Sequence, residues 1–175
     1  MKASETLTCR EIDNKTEFDD RLYRLYLNVL NRSRLRIETL SKEYFMGDMF
    51  KIFVLERESV PVGFIQLLEN GSELIFEFVG VDYEYNEQYS VYHRMLYEII
   101  RYGIEHGFRT IDFGQTADDT KLKLGSHYEY LYAVLHHSSP IINSICKAIA
   151  PRIDYRPLTT EFNVFKKKQS QKPTD

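Results

Sequence analysis

The chain has 175 residues, of which 43% are hydrophobic and 28% charged, and its formal net charge at pH 7 is −3. This length suits one globular domain, and the composition excludes low-complexity and collagen-like chains. The acidic balance argues against a protein that coats nucleic acid.

Targeting and cross-linking signals are missing from the sequence. No stretch reaches 18 apolar residues, which excludes a membrane-spanning helix, and the first twenty residues lack the apolar core of a secretory signal. The two cysteines, Cys9 and Cys146, lie far apart without Cys-x-x-Cys spacing. This argues against a disulfide framework and a zinc site. The sequence therefore predicts a cytoplasmic protein that binds no metal.

The N-terminal third predicts one strand and two helices. Leu7–Ile12 is interpreted as a short edge strand. Apolar side chains at helical spacing predict a helix over Phe18–Leu30, with Thr16 as its cap. A polar, arginine-rich break follows, and a second, short helix is predicted over Ser41–Met46.

Three strands form the predicted centre of the fold. They cover Phe50–Leu55, Val62–Leu68 and Glu73–Val81, and the Asn70-Gly71 pair is typical of a tight turn between the last two. The segments therefore predict an antiparallel meander. Strict alternation along the third strand would place Leu74, Phe76, Phe78 and Gly80 on one face and Glu73, Ile75, Glu77, Val79 and Val81 on the other.

The remaining half alternates between helices and strands. A tyrosine-rich loop is predicted over Glu84–Tyr89, after which Ser90 caps a long helix that ends at Gly107. The later predicted elements are a strand at Arg109–Phe113, a helix from the Thr116 and Asp119 capping box to Leu124, a strand at His127–Leu135, a helix at Pro140–Ile149 ended by Pro151, a strand at Thr159–Phe165 and a disordered tail over 166–175.

This order of elements predicts an α/β fold with a mixed, mostly antiparallel sheet and helices on both faces, in a single domain over residues 1–165. The long helix connects the third meander strand to the strand at Arg109–Phe113. Because a crossover begins there, a divergence between these two strands would form a natural ligand crevice.

The element order resembles the GNAT acetyltransferase superfamily. The more specific match lies between Val79 and Gly125. In it, the run from Asp112-Phe113-Gly114 through Lys121 to Leu124-Gly125 is similar to a D-F-G-x-x-x-x-x-x-K-x-x-[aromatic or Leu]-G signature. That signature belongs to a branch with polysaccharide-biosynthesis acetyltransferases and Fem-type peptidoglycan aminoacyltransferases. Members of the branch often hold two such domains, so the resemblance allows a partner GNAT domain or a homodimer.

The resemblance implies acetyl-CoA or another acyl-CoA as co-substrate. It assigns the pantetheine arm to Val79, Gly80 and Val81. The pyrophosphate would bind at the start of the long helix, around Gln88, Tyr89, Ser90 and Val91, where helix amides attract anions. The family cradles this group with a glycine-rich loop, whereas the corresponding stretch here has no glycine and contains Glu87.

The resemblance also implies the catalytic groups. Glu77 would be the base that deprotonates an amine, and Tyr128 or Tyr130 the acid that protonates the leaving thiolate. The substrate would contact Asp112, Gln115 and Lys121. Each residue has a structural alternative: Glu77 as a solvent-facing strand residue, the tyrosines as strand packing, and Asp112 as a cap or a partner of Lys121.

The function predicted on this basis is N-acyl transfer from acyl-CoA to a small-molecule amine, an amino sugar or a cell-envelope precursor. The glycine-poor loop leaves a second hypothesis open, namely a non-catalytic GNAT half that supports a partner domain or binds a ligand. Aminoacyl transfer from a charged tRNA fits less well, because the chain is acidic and lacks the helical arm that Fem-type proteins insert.

Overall fold

The computed structural model describes residues 6–33, 38–115, 118–129, 131–132, 134, 136–153, 162 and 164. The chain divides into two compact units, one ending at Gly114 and the other beginning at Gln115, and each is described by itself. A single domain over residues 1–165 stays a prediction. The predicted tail over 166–175 and most of the predicted strand at Thr159–Phe165 lie outside the described residues.

The first unit contains a five-stranded sheet whose strands lie side by side in chain order. The first four strands are antiparallel, and the fifth runs parallel to the fourth. This confirms the predicted mixed, mostly antiparallel sheet. The strands are β1 (Thr8–Ile12), β2 (Phe50–Arg57), β3 (Val60–Asn70), β4 (Glu73–Val81) and β5 (Thr110–Asp112).

Two long helices cover opposite faces of this sheet. A Cβ atom added to Gly80 of β4 would lie 2.8 Å from Leu25, whereas one added to Gly63 of β3 would lie 2.8 Å from Val91. Gly80 pairs with Phe64, the neighbour of Gly63, so the two glycines point to opposite faces. The helices of this unit are α1 (Asn14–Glu17), α2 (Asp20–Arg32), α3 (Lys42–Phe45), α4 (Tyr83–Tyr89) and α5 (Val91–Glu105).

The cap of α2 differs from the sequence prediction. The Asp19 carboxylate accepts hydrogen bonds from the amides of Arg21 and Leu22, at 2.9 and 3.0 Å. Thr16 instead lies inside α1, a separate turn of helix that ends at Phe18. Thr16 as the cap is therefore wrong: the chain is extended at Asp19, which puts the carboxylate in reach of the free amides.

Aromatic rings fill the core between the sheet and the α2 and α3 helices. Phe45 has no exposed surface. Its ring lies parallel to that of Phe18, with centroids 5.0 Å apart, and its centroid is 4.8 Å from Tyr26 and 5.8 Å from Phe64. Each such ring buries a large apolar area, so this cluster is a main source of stability in the first unit.

A β-bulge interrupts the pairing of β3 with β4. Gln66 pairs with Phe78 and its neighbour Leu67 pairs with Phe76, so Glu77 is one extra residue on β4. An extra residue shifts the alternation of side chains and bends the strand that contains it. The bulge therefore sets Glu77 apart from the regular ladder.

The bulge also divides the side chains of β4 between the two faces. Leu74 and Phe76 lie on the α5 face, where a Cβ atom on Gly103 would meet Leu74. Phe78 and Gly80 lie on the α2 face, and Phe78 packs against its core. The prediction that all four share one face is wrong, because one inserted residue moves every later side chain to the opposite face.

The second unit contains α6 (Asp118–Leu122) and α7 (Pro140–Ile153). None of the described residues between His127 and Leu135 is in a strand, so the predicted strand there is wrong. Leu131, Tyr132 and Val134 are 81%, 91% and 95% exposed. A segment with alternating apolar residues forms a strand only when it can pair with a neighbouring strand and bury its apolar side chains in a core. The prediction that Pro151 ends the last helix is also wrong, since α7 continues to Ile153.

Candidate active site

Strands β4 and β5 separate soon after they begin. They pair only through Glu73–Ile75 and Thr110–Asp112. Strand β4 then continues to Val81, and from Glu77 onward this edge has no neighbouring strand among the described residues. Unpaired backbone groups at a strand edge can bind an extended ligand. Pairing of the two strands thus ends where the predicted divergence begins. Val79, Gly80 and Val81 lie beyond that point, and the Val81 carbonyl oxygen accepts a hydrogen bond from the Asn28 side chain at 3.3 Å. Pantetheine binding by these residues stays a prediction.

The turn after β5 is held by its own residues. The Asp112 carboxylate accepts a hydrogen bond from the Gly114 amide at 2.7 Å. Gly114 has a φ of +65°, and a Cβ atom on it would lie 3.2 Å from the Phe76 carbonyl oxygen. Glycine therefore suits both the backbone conformation and the close approach to β4. Asp112 therefore caps this turn, which is one of the structural alternatives to its predicted contact with the substrate.

Tyr44 and Glu77 lie near each other where β4 leaves β5. The Tyr44 ring centroid is 5.8 Å from that of Phe78 and 5.1 Å from that of Phe50. Burial raises the pKa of Tyr44, and the negative charges of Glu77 and Glu38 raise it further. The phenol therefore stays protonated beside these carboxylates. The sequence has no signal for Tyr44, which lies on a helix of four residues.

The predicted tyrosine-rich loop is the helix α4. Its cap is Asp82, whose carboxylate accepts from the Glu84 amide at 3.1 Å. The rings of Tyr85 and Tyr89 stack one turn apart, with centroids 6.0 Å apart, and the Arg57 guanidinium lies 4.6 Å from the Tyr89 centroid. The loop prediction is wrong because a cap, an i,i+4 ring pair and a cation–π contact favour the helix.

The start of α5 is bound by a side chain from α4. Ser90 lies between the two helices in the left-handed conformation, with φ 52° and ψ 44°, and its side chain caps nothing. The Asn86 side-chain oxygen instead accepts from the Tyr92 amide at 2.9 Å. Ser90 therefore occupies the predicted cap position, and its carbonyl oxygen accepts from the Arg94 amide at 3.0 Å, but its side chain does not supply the cap. Of the predicted phosphate-binding residues, Gln88 is exposed on α4, whereas Tyr89 and Val91 are buried.

Three predicted site residues fall within the described part of the second unit. Lys121 is 5% exposed, and its ammonium donates to the Gln115 carbonyl at 3.0 Å. The Gln115 residue is exposed, and Tyr128 is half-buried. Tyr130 lies outside the described residues. The ammonium of Lys121 is thus held by the backbone, and substrate binding by Lys121 and Gln115 stays a prediction.

Gln66 is a buried polar residue at the centre of β3. It has no exposed surface. Of the described side chains, it is the one whose buried nitrogen and oxygen atoms both lack a hydrogen-bond partner. The sequence contains a signal for it, since Gln66 is the only polar side chain within Val62–Leu68. Buried polar atoms are normally hydrogen-bonded, so such a residue calls for an explanation.

Within the described residues, no group of three or more His, Cys, Asp or Glu side chains could hold a metal ion. No described helix is long and apolar enough to cross a bilayer.

The stability of the protein is expected to fall as the pH rises from 10 to 12. Burial raises the pKa of Tyr92 to about 12, from the ordinary tyrosine value near 10. Between these values the folded chain keeps a proton that the unfolded chain loses, so alkali favours unfolding. One pKa unit corresponds to about 1.4 kcal/mol, so we expect Tyr92 to contribute about 1–2 kcal/mol of this loss.

Urea denaturation at pH 9, 10 and 11 measures this effect in the wild type and in Tyr92→Phe. The variant should lose less stability than the wild type across the series. Cys9, whose pKa burial also raises to about 12, is present in both proteins and contributes equally. Parallel pH profiles for the two proteins would contradict the assignment to Tyr92.

The sheet and the two helices that cover it define an α/β fold. The family model for the acetyltransferase (GNAT) domain matches residues 3–122, which is more than half of the chain. The protein therefore belongs to the GNAT acetyltransferase family. The predicted GNAT family and acetyltransferase class are confirmed, whereas the predicted polysaccharide and Fem-type branch stays a prediction. No curated protein sequence matches the chain.

Solved structures share this fold at low sequence identity. An aminoglycoside acetyltransferase, meta-AAC0020, from an uncultured soil metagenomic sample aligns with a TM-score of 0.51 at 16% identity, over 75% of this chain and 98% of its own. A mutant of the BH1408 protein from Bacillus halodurans gives 0.54 at 16% identity, over 74% and 99%. The integron cassette protein VCH_CASS6 from V. cholerae gives 0.53 at 10% identity, over 81% and 98%. These likenesses show the fold alone.

The residues at β4 and α5 fit the two ends of an acyl-CoA molecule unequally. Beyond Phe76 the edge of β4 has no neighbouring described strand, which suits an extended pantetheine arm, although the Val81 carbonyl oxygen already accepts from the Asn28 side chain. The start of α5 has the positive end of a 15-residue helix, which favours phosphate, but Asn86 already holds its Tyr92 amide. Phosphate binding at that amide therefore requires the Asn86 side chain to move away.

Proposed function

We propose that the protein is an N-acyltransferase that moves an acyl group from a CoA thioester to a primary amine. The observation on which this rests is the separation of β4 from β5 at the bulge that contains Glu77. Because Glu77 lies on the same strand as the part of the β4 edge that has no described strand neighbour, its carboxylate would act as the base beside the proposed pantetheine site. Membership of an acetyltransferase family supports this assignment.

In this proposal the acyl-CoA supplies an activated acyl carbonyl. Glu77 accepts a proton from the acceptor amine, whose nitrogen then forms the new bond to the acyl carbon as the carbon–sulfur bond breaks. The backbone of Val79–Val81 holds the pantetheine arm. Tyr128 or Tyr130 donates a proton to the departing thiolate. The substrate-contacting residues of the proposal remain Asp112, Gln115 and Lys121.

The acceptor in this proposal is an amino sugar or a cell-envelope precursor, processed in the cytoplasm. The support is the similarity of the Asp112–Gly125 segment to the polysaccharide and Fem-type branch. The acidic groups around Tyr44 add to it, because Glu38 and Glu77 would attract a cationic amine.

Calorimetric titration with acetyl-CoA and with free coenzyme A tests the proposal. We expect saturable binding with a dissociation constant in the roughly micromolar to millimolar range. Asn86→Asp should weaken it about tenfold, because a carboxylate at the Tyr92 amide would repel the pyrophosphate at short range. The matched control is Asn70→Asp, which adds the same charge at the exposed β3–β4 turn and should leave the affinity unchanged.

Two results would contradict this proposal at different points. No binding heat and no thermal shift at millimolar acetyl-CoA would exclude the acyl-CoA co-substrate. Equal affinities of the wild type and Asn86→Asp for acetyl-CoA would leave acyl-CoA as the co-substrate. They would contradict the binding of its pyrophosphate at the start of α5.

A non-catalytic GNAT domain is the second candidate function. The hydrogen bond from the Tyr92 amide to Asn86, and the helical α4 in place of a glycine-rich loop, favour it. Such a domain would support a partner GNAT domain, or a second copy of this chain, without acyl transfer. The same titration separates the two functions, since the non-catalytic domain would bind neither acetyl-CoA nor coenzyme A.

A further inference from the structure

The Gln66 side chain lies on the α2 face of the sheet, where its polar atoms have no hydrogen-bond partner among the described residues. Its strand partners are Ile52 on β2 and Phe78 on β4, and both belong to the apolar packing on that face. A carboxamide has two N–H donors and an oxygen acceptor, yet neither its nitrogen nor its oxygen is hydrogen-bonded here. The folded protein therefore bears the cost of a buried polar group that an apolar side chain would avoid.

Gln66 lies across the β3–β4 pairing from Phe78, the residue that follows the candidate base Glu77. The bulge falls opposite Gln66 and Leu67, so Glu77 is inserted next to Phe78, the direct partner of Gln66. Tyr44 packs on the Phe78 ring from α3, and the charges of Glu77 and Glu38 act on its hydroxyl. Phe78 thus links three groups: the unpartnered carboxamide of its strand partner Gln66, the Tyr44 ring packed on it, and the Glu77 carboxylate of the preceding residue, whose charge acts on Tyr44.

A ligand group that both donates and accepts hydrogen bonds would satisfy Gln66. A hydroxyl group does so with a single oxygen, and it is uncharged, which suits a site lined by aromatic rings. An ammonium group only donates and would leave the carboxamide N–H groups unpaired. The carboxylates nearby suit the ammonium instead. The cluster is therefore complementary to a molecule that has an amine and a hydroxyl close together.

We propose that Gln66 determines acceptor specificity by binding a hydroxyl group of the acceptor, next to the amine whose proton passes to Glu77. This inference rests on the proposed acyltransferase function and narrows its acceptors to hydroxyl-bearing amines. Gln66 is covered in the free protein, so the acceptor reaches it as the half-buried Tyr44 and Phe78 rings move apart.

Acetyl transfer to glucosamine and to cyclohexylamine tests this inference. Both are six-membered rings with a primary amine, but only glucosamine has hydroxyl groups. The value of kcat/KM for each amine is measured with acetyl-CoA by release of the coenzyme A thiol. The ratio of the two values is then compared between the wild type and Gln66→Leu, so that the different intrinsic reactivities of the amines cancel.

We expect the wild type to prefer glucosamine and Gln66→Leu to reduce that preference at least about tenfold. The same variant should be more stable, with a Tm higher by roughly 2–4 °C or more, because it removes two unpaired polar atoms. Leu67→Met is the control. It alters the neighbouring, fully buried residue on the opposite face and should leave the preference unchanged.

Several outcomes would overturn the inference. An unchanged ratio in Gln66→Leu would remove Gln66 from acceptor recognition, and a lower Tm would show that the fold itself satisfies the carboxamide. A wild type that binds acetyl-CoA calorimetrically but shows no preference for glucosamine, or acetylates neither amine, would overturn the inference alone. A wild type that binds no acetyl-CoA would overturn the proposed function along with it.

Discussion

Replacing Glu77 by glutamine is expected to lower kcat for acetyl transfer to glucosamine by about 10²–10⁴-fold, the usual contribution of a general base. The amide has nearly the same shape as the carboxylate but cannot accept the proton. Acetyl-CoA affinity should stay within about twofold by calorimetry, because the proposed pantetheine site is the backbone of β4 and not the Glu77 side chain. Steady-state kinetics by thiol release measure kcat in both proteins.

Glu73→Gln is the matched control for this experiment. Glu73 lies on the same strand, before the bulge, where β4 is still paired with β5. It should leave kcat unchanged. A Glu77→Gln enzyme with the wild-type kcat would show that another group takes the proton. A large fall in Tm would instead identify Glu77 as a structural residue, the alternative that the sequence left open.

The second large effect is expected on stability. Phe45→Ala should lower the free energy of unfolding by about 3–5 kcal/mol, because it removes a fully buried ring and leaves a cavity. For a chain of this size the Tm should fall by roughly 6–20 °C. The vacancy would lie between the rings of Phe18, Tyr26, Phe64 and Phe78, all within 6 Å of the Phe45 centroid.

Urea and thermal denaturation of Phe45→Ala and Tyr97→Ala measure this difference. Tyr97 is 44% exposed on α5, so its truncation should change the free energy of unfolding by no more than about 0.5 kcal/mol. Equal effects of the two substitutions would contradict the central position of Phe45 in the core. A loss at Phe45 below about 1 kcal/mol would mean that the cluster closes around the missing ring.

Membership of the family and the reaction class were predictable from the order of the elements and from the run between Asp112 and Gly125. The positions of the site residues were only partly predictable. The roles of Glu77 and of the β4 edge stay predictions, and the contacts of Asn86, Tyr44 and Gln66 were not foreseen. Tyr44 and Gln66 both contact Phe78, which is distant from them in the chain. A local sequence pattern cannot predict contacts of this kind.

Some helices, strands and turns follow from the sequence alone, because the interactions that form them involve only a few neighbouring residues. Alternation set β4 at Glu73–Val81, Asn70-Gly71 set the turn before it, and apolar spacing set α5 from Val91. These features follow from period-2 and period-3.6 burial and from the φ of +60° at Gly71, all of which are local.

The tertiary structure alone decided the bulge at Glu77, the burial of Gln66 and the helix that replaces the expected loop. The bulge arises from the register between β3 and β4, and it determines which face receives Phe78 and Gly80. The segment 83–89 is helical, and the Arg57 guanidinium, at the end of β2, lies over its Tyr89 ring. Among the described residues from His127 to Val134, none pairs with a strand. Strand register and side-chain packing depend on interactions between residues that are far apart in the sequence. These interactions form only when the chain folds, so local sequence patterns do not predict them.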